Sequence, residues 1–145
     1  KHINIARQIT ENAGKTVIEC PDRPGFIVNR VLCPMLPSDP GHELWRRDFT
    51  GGCGLFAFVL ASDDPQASAR VADALDLFGI GYSWGGFESL VLPITPKTYR
   101  SLMPCPTGGK PALRLSIGLE DTDDLIADLA QASGPSGMAA RSSNP

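Results

Sequence analysis

The chain has 145 residues, enough for one domain with its own core. A hydrophobic fraction of 42% and a charged fraction of 20% are ordinary for a globular domain. The net charge of −3 offers no electrostatic case for nucleic acid or an anionic membrane, and no apolar run approaches the ~20 residues of a bilayer span.

In chain order, Ile3, Ala6, Ile9 and Ala13 recur at helical spacing, and Gly14 is a good stop, so 3–13 reads as a helix. Residues 15–20, KTVIEC, are short and β-branched and read as a strand. Residues 21–25 read as a turn, with Pro24 at the first position of a new helix, FIVNRVLCPML, that Pro34 and Pro37 end. Residues 34–41 are a loop, and 42–49, HELWRRDF, a short helix. LFAFVL at 55–60 reads as a buried strand. Asp63 or Asp64 caps a helix over 65–78 whose stripe is Ala67, Val71, Leu75 and Phe78. Gly79–Gly81 turn the chain, and 88–92 holds a strand. Residues 94–110 form a Pro-rich loop with one helical turn at KTYRSLM. ALRLSIG at 112–118 alternates, with Leu113, Leu115 and Ile117 on one face and Arg114 and Ser116 on the other. Asp121 or Thr122 caps a last helix over 122–131, and a low-complexity tail, expected to be disordered, fills 133–145.

The order from Leu55 onward is strand, helix, strand, strand, helix. That predicts an α+β fold: a small, mostly antiparallel sheet with helices on one face.

Cys20, Cys33, Cys53 and Cys105 form no CxxC pair, and His2 and His42 stand apart, so no metal site is expected. No apolar signal segment opens the chain, so free thiols and a cytoplasmic location are expected. A start at Lys1 rather than Met reads as a piece of a longer reading frame.

Two features point to ligand chemistry. Arg114 sits mid-strand opposite apolar neighbours, and its planar fork suits a carboxylate. From pattern alone the alternative is a surface arginine paired with an Asp or Glu. The second feature is Gly81-Tyr82-Ser83-Trp84-Gly85-Gly86, where small residues around aromatics let backbone approach a ligand. Its alternative is a tight turn with Trp84 as a buried plug.

LFGIGYSWGGFESLVL at 77–92 and ALRLSIGLEDTDDLIADL at 112–129 resemble the C-terminal domain of cystathionine β-lyase, of the Cys/Met-metabolism pyridoxal-phosphate enzymes. LPSDPGHELWRRDFTGGCGLFAFVL at 36–60 extends the resemblance, which runs from about Val31 to Leu129. It implies the C-terminal domain of fold-type I pyridoxal-phosphate transferases. It also implies a carbon–sulfur lyase of transsulfuration and methionine biosynthesis, with a cystathionine-like amino acid as substrate. The first Arg of RLSIGLED matches Arg114, which the resemblance makes the binder of the substrate carboxylate, with Ser83 and Trp84 beside it. Gly52-Cys53 departs from the family's small Ala and Ser; there Cys53 reads as an inert small side chain more readily than as a reactive thiol.

Lys1, Lys15, Lys97 and Lys110 are the only lysines, and none lies in the family's cofactor-lysine context. The chain alone is therefore expected to hold no pyridoxal phosphate, to carry no catalytic residue and to be inactive. A missing cofactor domain, or a homo-oligomer, is the expected partner. NAGKTVIECPDRPGFIVNRVL at 12–32 resembles a fragment of 3-hydroxyacyl-CoA dehydrogenases, and Asn29 matches that family's substrate-side Asn. The resulting division is a dehydrogenase-like segment at 1–32, a lyase-like domain at 33–132 and the tail at 133–145. The alternatives are a non-catalytic chimeric or engineered domain and, third, a dehydrogenase remnant. On the chimeric reading, residues 1–32 should pack less tightly than the rest.

Overall fold

A computed structural model describes residues 4–7, 19–20, 23–24, 27–94 and 105–132. Residues 4–7 are helical (α1). Glu19–Cys20 (β1) and Arg23–Pro24 (β2) pair antiparallel across the expected turn. The main sheet has five strands: Val28–Leu32 (β3), Leu55–Leu60 (β4), Gly79–Ile80 (β5), Leu90–Ile94 (β6) and Ala112–Ser116 (β7). Their spatial order is β3-β4-β7-β6-β5, antiparallel except for the β5–β6 pair. Three further helices are His42–Asp48 (α2), Ala67–Asp73 (α3) and Thr122–Gln131 (α4). This is the α+β architecture expected from the period changes.

Register decides the two faces of the sheet. Leu115 is opposite Phe56 and Val91, and Leu113 is opposite Phe58. Residues directly opposite share a face, and all five of these are buried in the main core. Val71, Ala72, Leu75, Phe78, Leu125 and Leu129, on α3, α4 and the segment after α3, complete that core. Each fully buried aliphatic side chain contributes about 1.5–3 kcal/mol relative to exposure. The other face carries Arg114 and Ser116, flanked by Ala57 and Leu92 opposite Arg114.

Several elements differ from what the sequence predicts. The stretch expected as a helix, FIVNRVLCPML, contains β3 instead, paired with β4. Val28 and Val31 favour an extended chain, and β4 offers an open edge to pair with. Helix α3 stops at Asp73 rather than near 78. The N–H groups of Asp76 and Leu77 donate instead to the carboxylate of Asp128 on α4, at 2.9 and 2.8 Å. Gln131 Nε2 donates to the carbonyl of Ala74 at 2.7 Å, so α4 replaces the helix's own last bonds. The strand expected at 88–92 starts at Leu90 and runs through Pro93. The Ser89 and Val91 carbonyls accept bonds from the β5 side. By alternation Pro93 faces that side too, but β5 pairs only with Leu90 and Val91. The missing N–H of Pro93 therefore costs no ladder bond.

The N-terminal residues are not loosely attached where they are described. Ile5, Ala6 and Val28 are fully buried in the core. β3 lies before the boundary expected at 33, yet it is a strand of the same sheet. The remainder of the predicted 3–13 helix, residues 15–18 of the predicted first strand, the helical turn at 97–103 (nearly all of 95–104) and the tail fall outside the described residues. No helix of the described residues is long and apolar enough to cross a membrane.

Candidate functional site around Arg114

Arg114 projects from β7, the middle strand of the sheet, on the face away from the core. It is half-buried, and residues 81–89, which connect β5 to β6, approach that face. The two N–H groups of its Nη2 are shared among three successive carbonyls of that loop: Gly81 at 3.2 Å, Tyr82 at 2.8 Å and Ser83 at 3.1 Å. Farther along, the N–H of Gly85 donates to Ser116 Oγ at 3.3 Å. Gly85 has φ of 80°, a left-handed conformation that only glycine adopts freely. The loop is thus pinned to the two polar side chains of β7.

No carboxylate pairs with Arg114 among the described residues. Glu88 and Asp121 are exposed and are not its partners. Arg114 Nε is buried and has no hydrogen-bond partner among the described residues. A guanidinium held by carbonyl dipoles, with no carboxylate partner among the described residues, has the chemistry to take one.

Ser83 meets Arg114 through its backbone carbonyl, not its hydroxyl. Trp84 follows it and is 67% exposed, so it is not a buried plug. Tyr82, Phe87, Ile80 and Leu119 are exposed as well, giving the loop an apolar rim. Asn29 stands apart from this group. It lies on β3, two strands from β7, at a bulge where Val28 and Arg30 are opposite Leu60 and Val59.

The root of the loop is held by residues with no strong mark in the sequence. Ser89 is buried, and both its N–H and its hydroxyl donate to Glu120, each at 2.7 Å. Ser89 Oγ accepts from the N–H of Gly118 at 2.9 Å. The available signal was a serine directly before an apolar strand and a glutamate two residues after a glycine.

A separate cavity of about 640 Å³ is lined by Cys33, Met35, Trp45, Phe49, Cys53 and Leu55, among others. Burial pushes the Cys33 thiol up, away from the reactive thiolate, whereas Cys53 is exposed. Among the described residues no group of His, Cys, Asp and Glu could hold a metal ion.

Pyridoxal phosphate needs an amine for its Schiff base. Lys110 is the one lysine among the described residues. It precedes β7, at the end away from Ser116, and its Nζ is 2.8 Å from Asp63 Oδ1. That bond holds the Asp63 carboxyl below its usual range. The described residues therefore offer the cofactor no covalent anchor at the Arg114 site.

The family described as Cys/Met metabolism PLP-dependent enzyme matches residues 7–133. The match takes in 12–32, the stretch that resembles a dehydrogenase fragment. Cystathionine beta-lyase MetC of Escherichia coli (strain K12) is 48% identical over 106 residues, covering 70% of this chain and 27% of the relative. The L-alanine/L-glutamate racemase of Wolbachia pipientis wMel is 42% identical over 104 residues, covering 70% of this chain and 26% of the relative. The structure of apo CalE6, a methionine gamma lyase from Micromonospora echinospora, matches with a TM-score of 0.62 at 30% identity, over 90% of this chain and 31% of that one. The chain thus spans about a quarter of the length of the curated relatives it matches. With a match over nearly its whole length, this chain belongs to the Cys/Met metabolism PLP-dependent enzyme family.

Proposed function

We propose that this chain is the substrate-carboxylate-binding small domain of a cystathionine β-lyase-like carbon–sulfur lyase. The observation that carries the reading is the Arg114 guanidinium, held by three loop carbonyls and lacking a carboxylate partner among the described residues. Arg114 takes the α-carboxylate of the amino-acid substrate, and the backbone at Ser83 and Trp84 lies beside it.

The relatives support a carboxylate rather than a particular reaction. Their names include a cystathionine lyase and an alanine/glutamate racemase, which act on different amino acids. An α-carboxylate is what those substrates share. On this reading the cofactor lysine sits on a separate domain, and the apolar rim of Tyr82, Trp84 and Phe87 is where that domain closes the site. The chain alone provides one wall, so affinity should be weak, with a Kd on the order of millimolar.

The test separates the carboxylate from the rest of the ligand. The 145-residue chain is titrated with L-methionine and, separately, with 3-(methylthio)propylamine, the same skeleton without the carboxylate. Saturable NMR shifts at the Ser83 and Trp84 amides are expected with the amino acid only. Equal shifts with the amine, or none with either ligand, would remove the basis of the reading.

A further inference from the structure

The Arg114 site depends on a loop with no regular structure of its own, so something must hold the loop in place. Arg114 can bond the Gly81, Tyr82 and Ser83 carbonyls only if both ends of residues 81–89 are fixed. At the first end, β5 is paired with β6, and the Gly81 N–H donates to the Val91 carbonyl at 3.1 Å. At the second end every polar group of Ser89 is used. Its N–H and hydroxyl donate to the two oxygens of Glu120. Its Oγ accepts from Gly118, and its carbonyl accepts from the Gly79 N–H at 3.0 Å. The Leu119 N–H donates to the Phe87 carbonyl at 2.8 Å. One serine therefore joins β5, the end of β7 and the approach to α4.

We propose that Glu120 and Ser89 are positioning residues for the Arg114 site. The carboxylate of Glu120 clamps the root of the loop against Gly118, and this keeps the Gly81–Ser83 carbonyls on Arg114 Nη2. The inference rests on the carboxylate reading of Arg114 for its consequence, and on the hydrogen bonds alone for its geometry. Neither residue touches the ligand. They act by fixing a short connection whose conformational freedom would otherwise oppose binding. A carboxylate suits the role because it accepts two bonds side by side, and a charged acceptor makes them strong.

Four variants test this. Glu120→Ala removes the clamp, Glu120→Gln keeps its shape, and Ser89→Ala removes one hydroxyl with little change in volume. Val71→Ala, in the core and away from the loop, controls for lost stability. The first readout is hydrogen exchange without ligand. Protection of the Gly85 and Gly118 amides should fall about tenfold or more in Glu120→Ala and Ser89→Ala, while Leu113 and Leu115 keep theirs. Glu120→Gln should recover part of the protection, because its amide oxygen can still accept from the Ser89 N–H while its NH2 donates to the Ser89 hydroxyl. The second readout is the L-methionine titration, in which Glu120→Ala and Ser89→Ala should weaken binding about tenfold and Val71→Ala should not. Unchanged Gly85 protection in both Glu120→Ala and Ser89→Ala would overturn the proposal, as would equal weakening by Val71→Ala. If the unaltered chain binds no amino acid, the carboxylate reading fails, and the exchange result still decides whether Glu120 and Ser89 hold the loop.

Discussion

Replacing Gly118 with alanine should destabilise the chain by ~3 kcal/mol and move the loop that borders Arg114. An added Cβ would lie 2.3 Å from the Phe87 carbonyl oxygen, 2.5 Å from the Glu88 carbonyl carbon and 2.7 Å from Glu120 Oε2. Two of those atoms are backbone, so no side-chain rotation relieves the contact. The strand end and the loop must separate. That would break the bonds from Gly118 N–H to Ser89 Oγ and from Leu119 N–H to the Phe87 carbonyl. Urea unfolding of Gly118→Ala should show a lower midpoint at an unchanged slope. The NMR signals of Ser83 and Trp84 should shift without ligand. A loss below about 1 kcal/mol with unshifted signals would mean the two segments are not in contact.

Asp128→Ala should cost a similar amount, by a different route. The carboxylate is buried and accepts from the Asp76 and Leu77 N–H groups, and Gln131 Nε2 also donates to it at 2.8 Å. Removing it leaves two backbone donors without their charged acceptor, each such bond being worth about 1.5–3 kcal/mol. A net loss of ~3 kcal/mol corresponds to roughly 6–12 °C in Tm for a domain of this size. Asp128→Asn keeps the volume but offers one acceptor to two donors, so it should recover little. Thermal unfolding of the two variants checks this. If Asp128→Asn matched the unaltered chain, the carboxylate would not be what ends α3.

The elements most legible in the sequence were those whose pattern and pairing agree. β4 is apolar throughout and β7 alternates, so the limits of β4, the start of β7 and the outward face of Arg114 followed from period alone, while β7 ends at Ser116 rather than at 118. Asp121 caps α4 as its position suggested, accepting from the Asp123 N–H at 2.8 Å. Elements whose bonds are supplied from far along the chain were not legible. The end of α3 is set by Asp128 and Gln131, more than fifty residues later, and nothing in ADALDLF signals it. β3 is a strand because β4 lies beside it, which outweighs the helix start suggested by Pro24. The two-residue strand β5 has the sequence of a turn, because Gly79 and Gly81 flank a single Ile80. At the candidate site, Arg114 and the glycine-rich loop were visible as residue types. The network of Glu120, Ser89 and Gly118 was not, because it is assembled by the return of β7 against β6.

The Arg114 guanidinium is the proposed binding point of an amino-acid carboxylate. The most direct measurement is titration of the unaltered chain, Arg114→Lys and Arg114→Ala with L-methionine, following the Ser83 and Trp84 amides by NMR. The unaltered chain should bind at about millimolar Kd. Arg114→Lys should bind more weakly, since a single ammonium nitrogen cannot bond the Gly81–Ser83 carbonyls and still present a separate nitrogen to the carboxylate, as the guanidinium can. Arg114→Ala should lose binding by roughly ten- to a hundredfold, the loss of about 1.5–3 kcal/mol expected for one charged hydrogen-bonding partner. The same shifts at the same midpoint in Arg114→Ala would show that the carboxylate does not bind there.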